Sequence, residues 1–333
     1  MELELNFLID SIVSCLIAGL GISEFEAEAI AQLSWREFIQ LIPIINQLRE
    51  EKFGNQVRIC AIVNAKSGRC PEDCKFCAQS AHWKTNIKTY PLLSPSEMVE
   101  RAKKAKEMGA KKFSIVTSGK GINKKEEIEK IAQAVSEIRS LGLEPCASLG
   151  IVEKEALEEL KQAGLVRYHH NLESSESFYP NICTTHSWQE SLEVVKTAKE
   201  LGLKVCCGGI FGLGEDWQDR IELAISLARL KPDSVPINFL IPIPKTPLEN
   251  QKRLSPLEAL KIIAIFRLAV PDSDIIICGG REKILGDFQS WIFPAGATGI
   301  IIGDYLTRKG RSPEDDLRML QALGLEPKEN ELD

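Results

Sequence analysis

The chain has 333 residues, 44% hydrophobic and 26% charged, with 41 basic against 47 acidic residues and a net charge of −6. That balance suits a globular protein with a large core and excludes a disordered or fibrous chain. The mild acidity argues against nucleic acid or a membrane surface as partner, and no apolar run approaches the ~18–20 residues of a membrane span.

The start, Met1-Glu2-Leu3-Glu4, is acidic, and Asp10 interrupts the apolar stretch behind it. A secretory signal needs a basic start and an unbroken apolar segment, so a cytoplasmic location is expected. Residues 1–54 read as an N-terminal helical extension, with Glu24–Leu33 and Trp35–Glu50 as helices. From 55 to 325 a β-branched run, a longer helical stretch and a glycine recur. The strand candidates are Val57–Asn64, Lys112–Thr117, Leu143–Leu149, Leu165–Leu172, Leu203–Gly208, Ser234–Leu240, Asp274–Cys278 and Thr298–Ile302. Ser94-Pro95-Ser96-Glu97 and Ser255-Pro256-Leu257-Glu258 mark helix starts. Gly109, Gly142, Gly164 and Gly202 mark helix ends. Alternating strands and helices imply a parallel sheet. Eight units imply a closed, TIM-type (β/α)₈ barrel, with a doubly wound open sheet as the alternative. Residues 326–333 form a short charged tail.

Ten cysteines in a reducing compartment point to metal or redox chemistry where they cluster, not to disulfides. Cys70-Pro71-Glu72-Asp73-Cys74-Lys75-Phe76-Cys77 follows the first strand, at the barrel end where such folds keep their active sites. Three thiolates on one loop can hold three irons of a 4Fe–4S cube, leaving the fourth iron open. The competing reading is a zinc site completed by a residue such as His82, although zinc sites favour paired knuckles. The Cys-x₃-Cys-x₂-Cys spacing, with Phe76 before the last cysteine, resembles the radical S-adenosylmethionine (SAM) superfamily. That resemblance implies that SAM chelates the open iron and is cleaved to a 5′-deoxyadenosyl radical.

Further segments narrow the resemblance. Lys66–Cys74, Tyr168-His169-His170-Asn171-Leu172-Glu173, Gly208–Glu215, Val235-Pro236-Ile237-Asn238 and Gly279-Gly280-Arg281-Glu282 together resemble the biotin synthase family over roughly residues 55–325. This implies sulfur insertion into dethiobiotin, with the sulfur drawn from an auxiliary iron–sulfur cluster. It also implies an electron donor such as flavodoxin or ferredoxin, and a homodimer. By the same resemblance Asn171 and Glu173 contact the SAM ribose and the ureido ring, and Asn238 hydrogen-bonds that ring. Gly209, Gly212 and Glu215 belong to a SAM-contacting segment. His169 replaces the asparagine usual at its place and faces the substrate. Without the family match, Asn171, Glu173 and Asn238 would read as turn or cap residues.

The family's auxiliary site is a 2Fe–2S cluster with three cysteines and one arginine. Cys146, Cys206 and Arg281 match three of these, and Arg281 is thereby counted among the catalytic residues. The remaining cysteine position holds Ser114, a weaker ligand than thiolate. A second arrangement is open. Cys60, Cys146, Cys206 and Cys278 fall on strands one, three, five and seven, and alternate strands of such a barrel share one interior layer. Cys60, Cys278 or both could then replace the missing ligand. Their other reading is as small buried hydrophobes. Cys183 is close to the active end, while His186 reads as a loop histidine. Two rivals remain: a radical SAM enzyme that inserts no sulfur, of mutase or hydrogenase-cofactor maturase type, and a non-catalytic iron–sulfur carrier.

Overall fold

The computed structural model of the protein describes residues 2–330. Three helices come first: α1 (Glu2–Ile17), α2 (Glu24–Gln32) and α3 (Trp35–Phe53). Ser23 and Ser34 start α2 and α3 with capping boxes closed by Glu26 and Glu37. The barrel follows: β1 (Gln56–Lys66), α4 (Pro95–Glu107), β2 (Lys112–Thr117), α5 (Lys125–Ser140), β3 (Glu144–Ser148), α6 (Lys154–Gln162) and β4 (Arg167–His169). Next come α7 (Trp188–Glu200), β5 (Lys204–Cys206, resuming at Gly209–Phe211), α8 (Trp217–Leu230), β6 (Ser234–Phe239) and α9 (Pro256–Ala269). The circuit ends with β7 (Asp274–Ile277), α10 (Arg281–Leu285), β8 (Gly299–Ile301) and α11 (Pro313–Ala322).

Among the described residues every neighbouring pair of barrel strands is parallel, and β8 returns to β1 through Arg58↔Gly299, Ile59↔Ile300 and Cys60↔Ile301. That closure is the expected (β/α)₈ barrel and excludes the open doubly wound sheet. The short strand β9 (Glu326–Pro327) runs beside Gln56 and Val57 at the start of β1. Lys111 pairs with Glu329 at 2.6 Å, so this part of the tail lies along the barrel's lower rim. Residues 331–333 of the tail lie outside the described residues.

The N-terminal helices have a physical reason to be there. Helix α9, Pro-Leu-Glu-Ala-Leu-Lys-Ile-Ile-Ala-Ile-Phe-Arg-Leu-Ala, is buried from Ala259 to Ala269. A helix that is apolar all round needs cover on both sides. The barrel covers one side, and α2 and α3 cover the other. Ile22 N–H donates to Leu268 O, and Lys261 Nζ donates to Ala31 O at 2.8 Å.

Strands β4 and β5 fall furthest short of the expected spans, for a local reason. The chain leaves β4 after His169, and the side chain of Asn171 accepts from Gly208 N–H at 3.2 Å, inside the break in β5. Glu173 then adopts φ +65°. Its carbonyl lies so close to β5 that a Cβ at Gly209 would sit 2.6 Å from it. Only glycine fits there.

Candidate active site

A cavity of about 460 Å³ opens at the C-terminal end of the strands and runs down the barrel axis. Its mouth is set by the end of β1. Gly68 and Arg69 are both left-handed, with φ of +74° and +53°, and turn the chain across the barrel top. The turn is braced on both sides: Gln79 Oε1 accepts from Gly68 N–H and Ser118 Oγ donates to Gly68 O at 2.8 Å. The loop closes on itself through Cys70 N–H to Gln79 O and Cys77 N–H to Cys74 O, both 3.0 Å. Trp83 Nε1 donates to Cys74 O at 3.0 Å. Cys70, Cys74, Cys77 and Phe76 all line the cavity. Burial raises the Cys70 thiol and lifts Cys77 to about 11, so a bound cation is what would hold these groups as thiolates.

Below the mouth are the β4 and β6 ends. His169, His170, Asn171, Glu173 and Asn238 line the wall. Burial pulls the two imidazoles down to about 4 and about 3, which leaves both neutral at pH 7. Burial also raises Glu173 to about 7, against the opposing hydrogen bond from Asn171 Nδ2 at 3.2 Å. Asn238 is locked in place: its Oδ1 accepts from Gly279 N–H at 3.1 Å and its Nδ2 donates to Gly209 O at 3.4 Å.

Deeper still, Cys60, Ser114, Cys146, Cys206 and Cys278 line the same cavity from five strands or strand ends. Burial raises all four thiols, Cys206 to about 12. Ser114 Oγ is buried without a hydrogen-bond partner, which is costly unless something else meets it. Among the described residues, neither the mouth triplet nor the deep four brings its sulfurs within 4.8 Å of one another as a set. Neither set is therefore gathered round one point as the ligands of a single zinc ion are. Thiols are the donor type that iron–sulfur clusters take. His82, offered as a zinc ligand, instead has Nε2 2.8 Å from Pro71 O.

The comparisons with known proteins agree with this geometry. The model of the radical SAM superfamily matches residues 65–227, and that of the biotin and thiamin synthesis associated domain matches 236–326. Biotin synthase of Trichlorobacter lovleyi is 50% identical over 318 residues, 95% of this chain and 96% of its own length. Biotin synthase of Geotalea uraniireducens is 48% identical over 95% of this chain and 97% of its own. This chain belongs to the biotin synthase family.

Two solved structures share the fold. Methylornithine synthase superposes with a TM-score of 0.82 at 22% identity, covering 96% of this chain and 97% of its own. The FeFe-hydrogenase maturase of Carboxydothermus hydrogenoformans gives 0.81 at 20% identity, covering 97% and 80%. A member of the biotin synthase family with a radical SAM domain uses a 4Fe–4S cluster and SAM, and the mouth triplet fits that group by donor type and spacing.

Against the family pattern, some expected residues lie off the cavity. Arg281 is fully buried and does not line it. Its two Nη atoms make two hydrogen bonds to Asp316, at 3.0 and 2.7 Å, and one to Gln289 at 3.1 Å, while Nε has no hydrogen-bond partner. Glu215 is also turned inward: it accepts from Gly212 and Leu213 N–H at 2.8 and 2.6 Å and from Arg220 at 2.8 Å. It holds the glycine turn rather than facing the cavity. Gly209 and Gly212 shape the backbone there. Cys207 is buried on the opposite side of β5 from Cys206, as strand alternation requires.

Sequence reasoning missed the cavity floor. Lys112 and Arg167 line it, both nearly completely buried, and share Glu144 at 3.3 and 3.0 Å. The signal was present: each precedes a cavity-lining residue by two positions on its strand (Lys112 before Ser114, Arg167 before His169). Strand alternation puts such pairs on one face. No helix of the described residues is long and apolar enough to cross a membrane.

Proposed function

We propose that this chain converts dethiobiotin to biotin by radical insertion of sulfur between two unactivated carbons. The observation that carries the reading is the presence of two separate thiol sets along one cavity, three at the mouth and four in depth, in a chain 50% identical to a biotin synthase over nearly its full length. When bound, the mouth cluster with SAM supplies a 5′-deoxyadenosyl radical able to take hydrogen from an alkyl carbon that no protein base ionises at pH 7.

In this reading Cys70, Cys74 and Cys77 hold the 4Fe–4S cluster, with Phe76 packed beside them. Asn171 and Glu173 meet the SAM ribose and the ureido ring, with Gly209 and Gly212 providing the backbone surface next to SAM. Asn238 uses its second amide hydrogen on the ring carbonyl, since its other contacts occupy only one. Neutral His169 offers one donor and one acceptor to the substrate. The closed barrel keeps water from the reacting carbons.

The deep thiols Cys60, Cys146, Cys206 and Cys278 hold the auxiliary cluster that supplies sulfur. Four thiolates replace the 2Fe–2S arrangement with Arg281, whose guanidinium is already committed to Asp316. Ser114 Oγ, orphaned beside them, stands next to the cluster as a hydrogen-bond donor or a weak ligand. Flavodoxin or ferredoxin delivers the electron, in a cytoplasmic homodimer. Exposed Phe7, Ile17, Leu20 and Phe25 on and beside the N-terminal helices are consistent with a second subunit there.

Anaerobic incubation with SAM, a reductant and dethiobiotin tests the reading. The expected products are 5′-deoxyadenosine and biotin. Deoxyadenosine without biotin would favour an enzyme that inserts no sulfur, and neither product would favour a cluster carrier.

A further inference from the structure

Behind the mouth loop, Cys74 meets a polar cluster whose other members the radical reaction does not use. Cys183, buried in the loop after β4, has its Sγ 3.7 Å from Cys74 Sγ and 3.3 Å from His186 Nδ1. Among the described residues, Cys74, Cys183 and His186 form the one set of three metal-ligating side chains whose donor atoms all lie within 4.8 Å. The same Nδ1 lies 2.5 Å from Glu72 Oε2, to which it donates. We propose that, before cluster assembly, Cys74, Cys183 and His186 bind one soft divalent cation, Zn²⁺ or Fe²⁺, which displaces the proton from His186 Nδ1 and leaves the fourth position to solvent.

The distances are those of a tetrahedral site. Two thiolates about 2.3 Å from one ion stand about 3.8 Å apart, and a thiolate and an imidazole about 3.6 Å apart. The Cys74–Cys183 and Cys183–His186 pairs are already near those edges, and binding requires the Glu72 carboxylate to move off Nδ1. The imidazole is also oriented for it. His186 Nε2 lies 2.7 Å from Tyr179 Oη; once an ion has displaced the Nδ1 proton, Nε2–H can donate there and the Nδ1 lone pair is free for the ion. Such outer hydrogen bonds commonly fix the tautomer of a ligating histidine. Thr185 Oγ1 donates to Glu72 Oε2 at 2.7 Å, which keeps the carboxylate beside the site when the Nδ1 proton leaves. The two loops are tied independently of any metal: Asp73 accepts from Thr184 N–H at 2.8 Å, and Lys75 N–H donates to Ile182 O at 2.9 Å. Cys74 and His186 line the cavity, which gives the ion a way in.

Because Cys74 belongs to both sets, the single ion and the mouth cluster exclude each other. Fe²⁺ in this position is a first iron held beside the triplet, and Zn²⁺ is a block to assembly. The site concerns the cluster-free chain, so it stands or falls separately from the radical reading.

The test uses Co²⁺ as a spectroscopic probe on the cluster-free full chain, without oxygen. Wild type, Cys183→Ala and the double variant Cys70→Ala/Cys77→Ala are compared, so binding by the deep thiols is common to all three and cancels. Near-ultraviolet circular dichroism checks that each is folded, and His186→Gln provides a second variant of the site. The expected result is one tetrahedral, thiolate-ligated cobalt in wild type and in the double variant. Cys183→Ala and His186→Gln should each bind that cobalt at least tenfold more weakly. Unchanged binding in Cys183→Ala and His186→Gln, or loss of the signal in the double variant, would overturn the proposal.

Discussion

The mouth and the depth of the barrel are built in opposite ways. At the mouth three thiols come from eight consecutive residues, Cys70 to Cys77, on a loop braced by its own backbone and by Gln79 and Ser118. In the depth, four thiols come from strands or strand ends spread from Cys60 to Cys278, and nothing local brings them together; only closure of the barrel does. A loop site can be read from spacing. A layer site requires the strand count and the parity of each residue to be right, because a shift of one residue turns a side chain to the other face. The two sites also differ in surroundings. The mouth thiols neighbour Cys183, His186 and Glu72, whereas the deep thiols stand over Lys112 and Arg167, which have one shared carboxylate, Glu144. That cationic floor suits a cluster bearing the negative charge of several thiolates.

The sharpest way to separate the regions is to remove one of them. Cys74→Ala should lower 5′-deoxyadenosine formation to background while leaving iron bound in the depth, as measured by product chromatography and iron analysis. A smaller effect tests whether Arg281 belongs to the deep site. Arg281→Met should leave auxiliary iron unchanged yet destabilise the fold by about 3–5 kcal/mol, because it strands Asp316 as a buried charge beside Arg311 alone. Denaturant unfolding and iron counts on the same sample check both halves. Loss of auxiliary iron with unchanged stability would restore Arg281 as a ligand.

The cavity wall between the two regions gives weaker effects. Glu173 is raised to about 7 by burial, so it is largely neutral at pH 6 and largely ionised at pH 8. As an acceptor for ribose hydroxyls it works better as the carboxylate. SAM affinity should therefore rise roughly tenfold from pH 6 to pH 8, following the ionised fraction, and Glu173→Gln should flatten that profile in a binding titration. The mildest change is His169→Asn. It exchanges one neutral donor–acceptor side chain for another and should alter the KM for dethiobiotin by no more than about fivefold, the worth of one ordinary hydrogen bond.

Much of this was legible in the sequence. The repeated strand–helix unit gave the closed barrel, and the capping boxes at Ser94 and Ser255 set the starts of α4 and α9. Cys60, Cys146, Cys206 and Cys278 reach one cavity as their strand positions suggested. What was not legible depended on which way a buried side chain turns. Arg281 follows directly after Gly279-Gly280 at the strand end, yet a partner 35 residues later, Asp316, takes its guanidinium. Glu215 is bound to the backbone of its own turn. The link from Cys74 to Cys183 crosses 109 residues, and no periodicity reports such a contact.

Mössbauer spectroscopy of ⁵⁷Fe-loaded protein puts the two-region picture most directly at risk, in wild type, Cys74→Ala and the double variant Cys60→Ala/Cys278→Ala. The account predicts two distinct clusters in wild type, with only the SAM-responsive one lost from the first variant and only the other lost or rebuilt in the second. A wild-type spectrum with a single kind of cluster, or a double variant whose spectrum matches wild type, would contradict it.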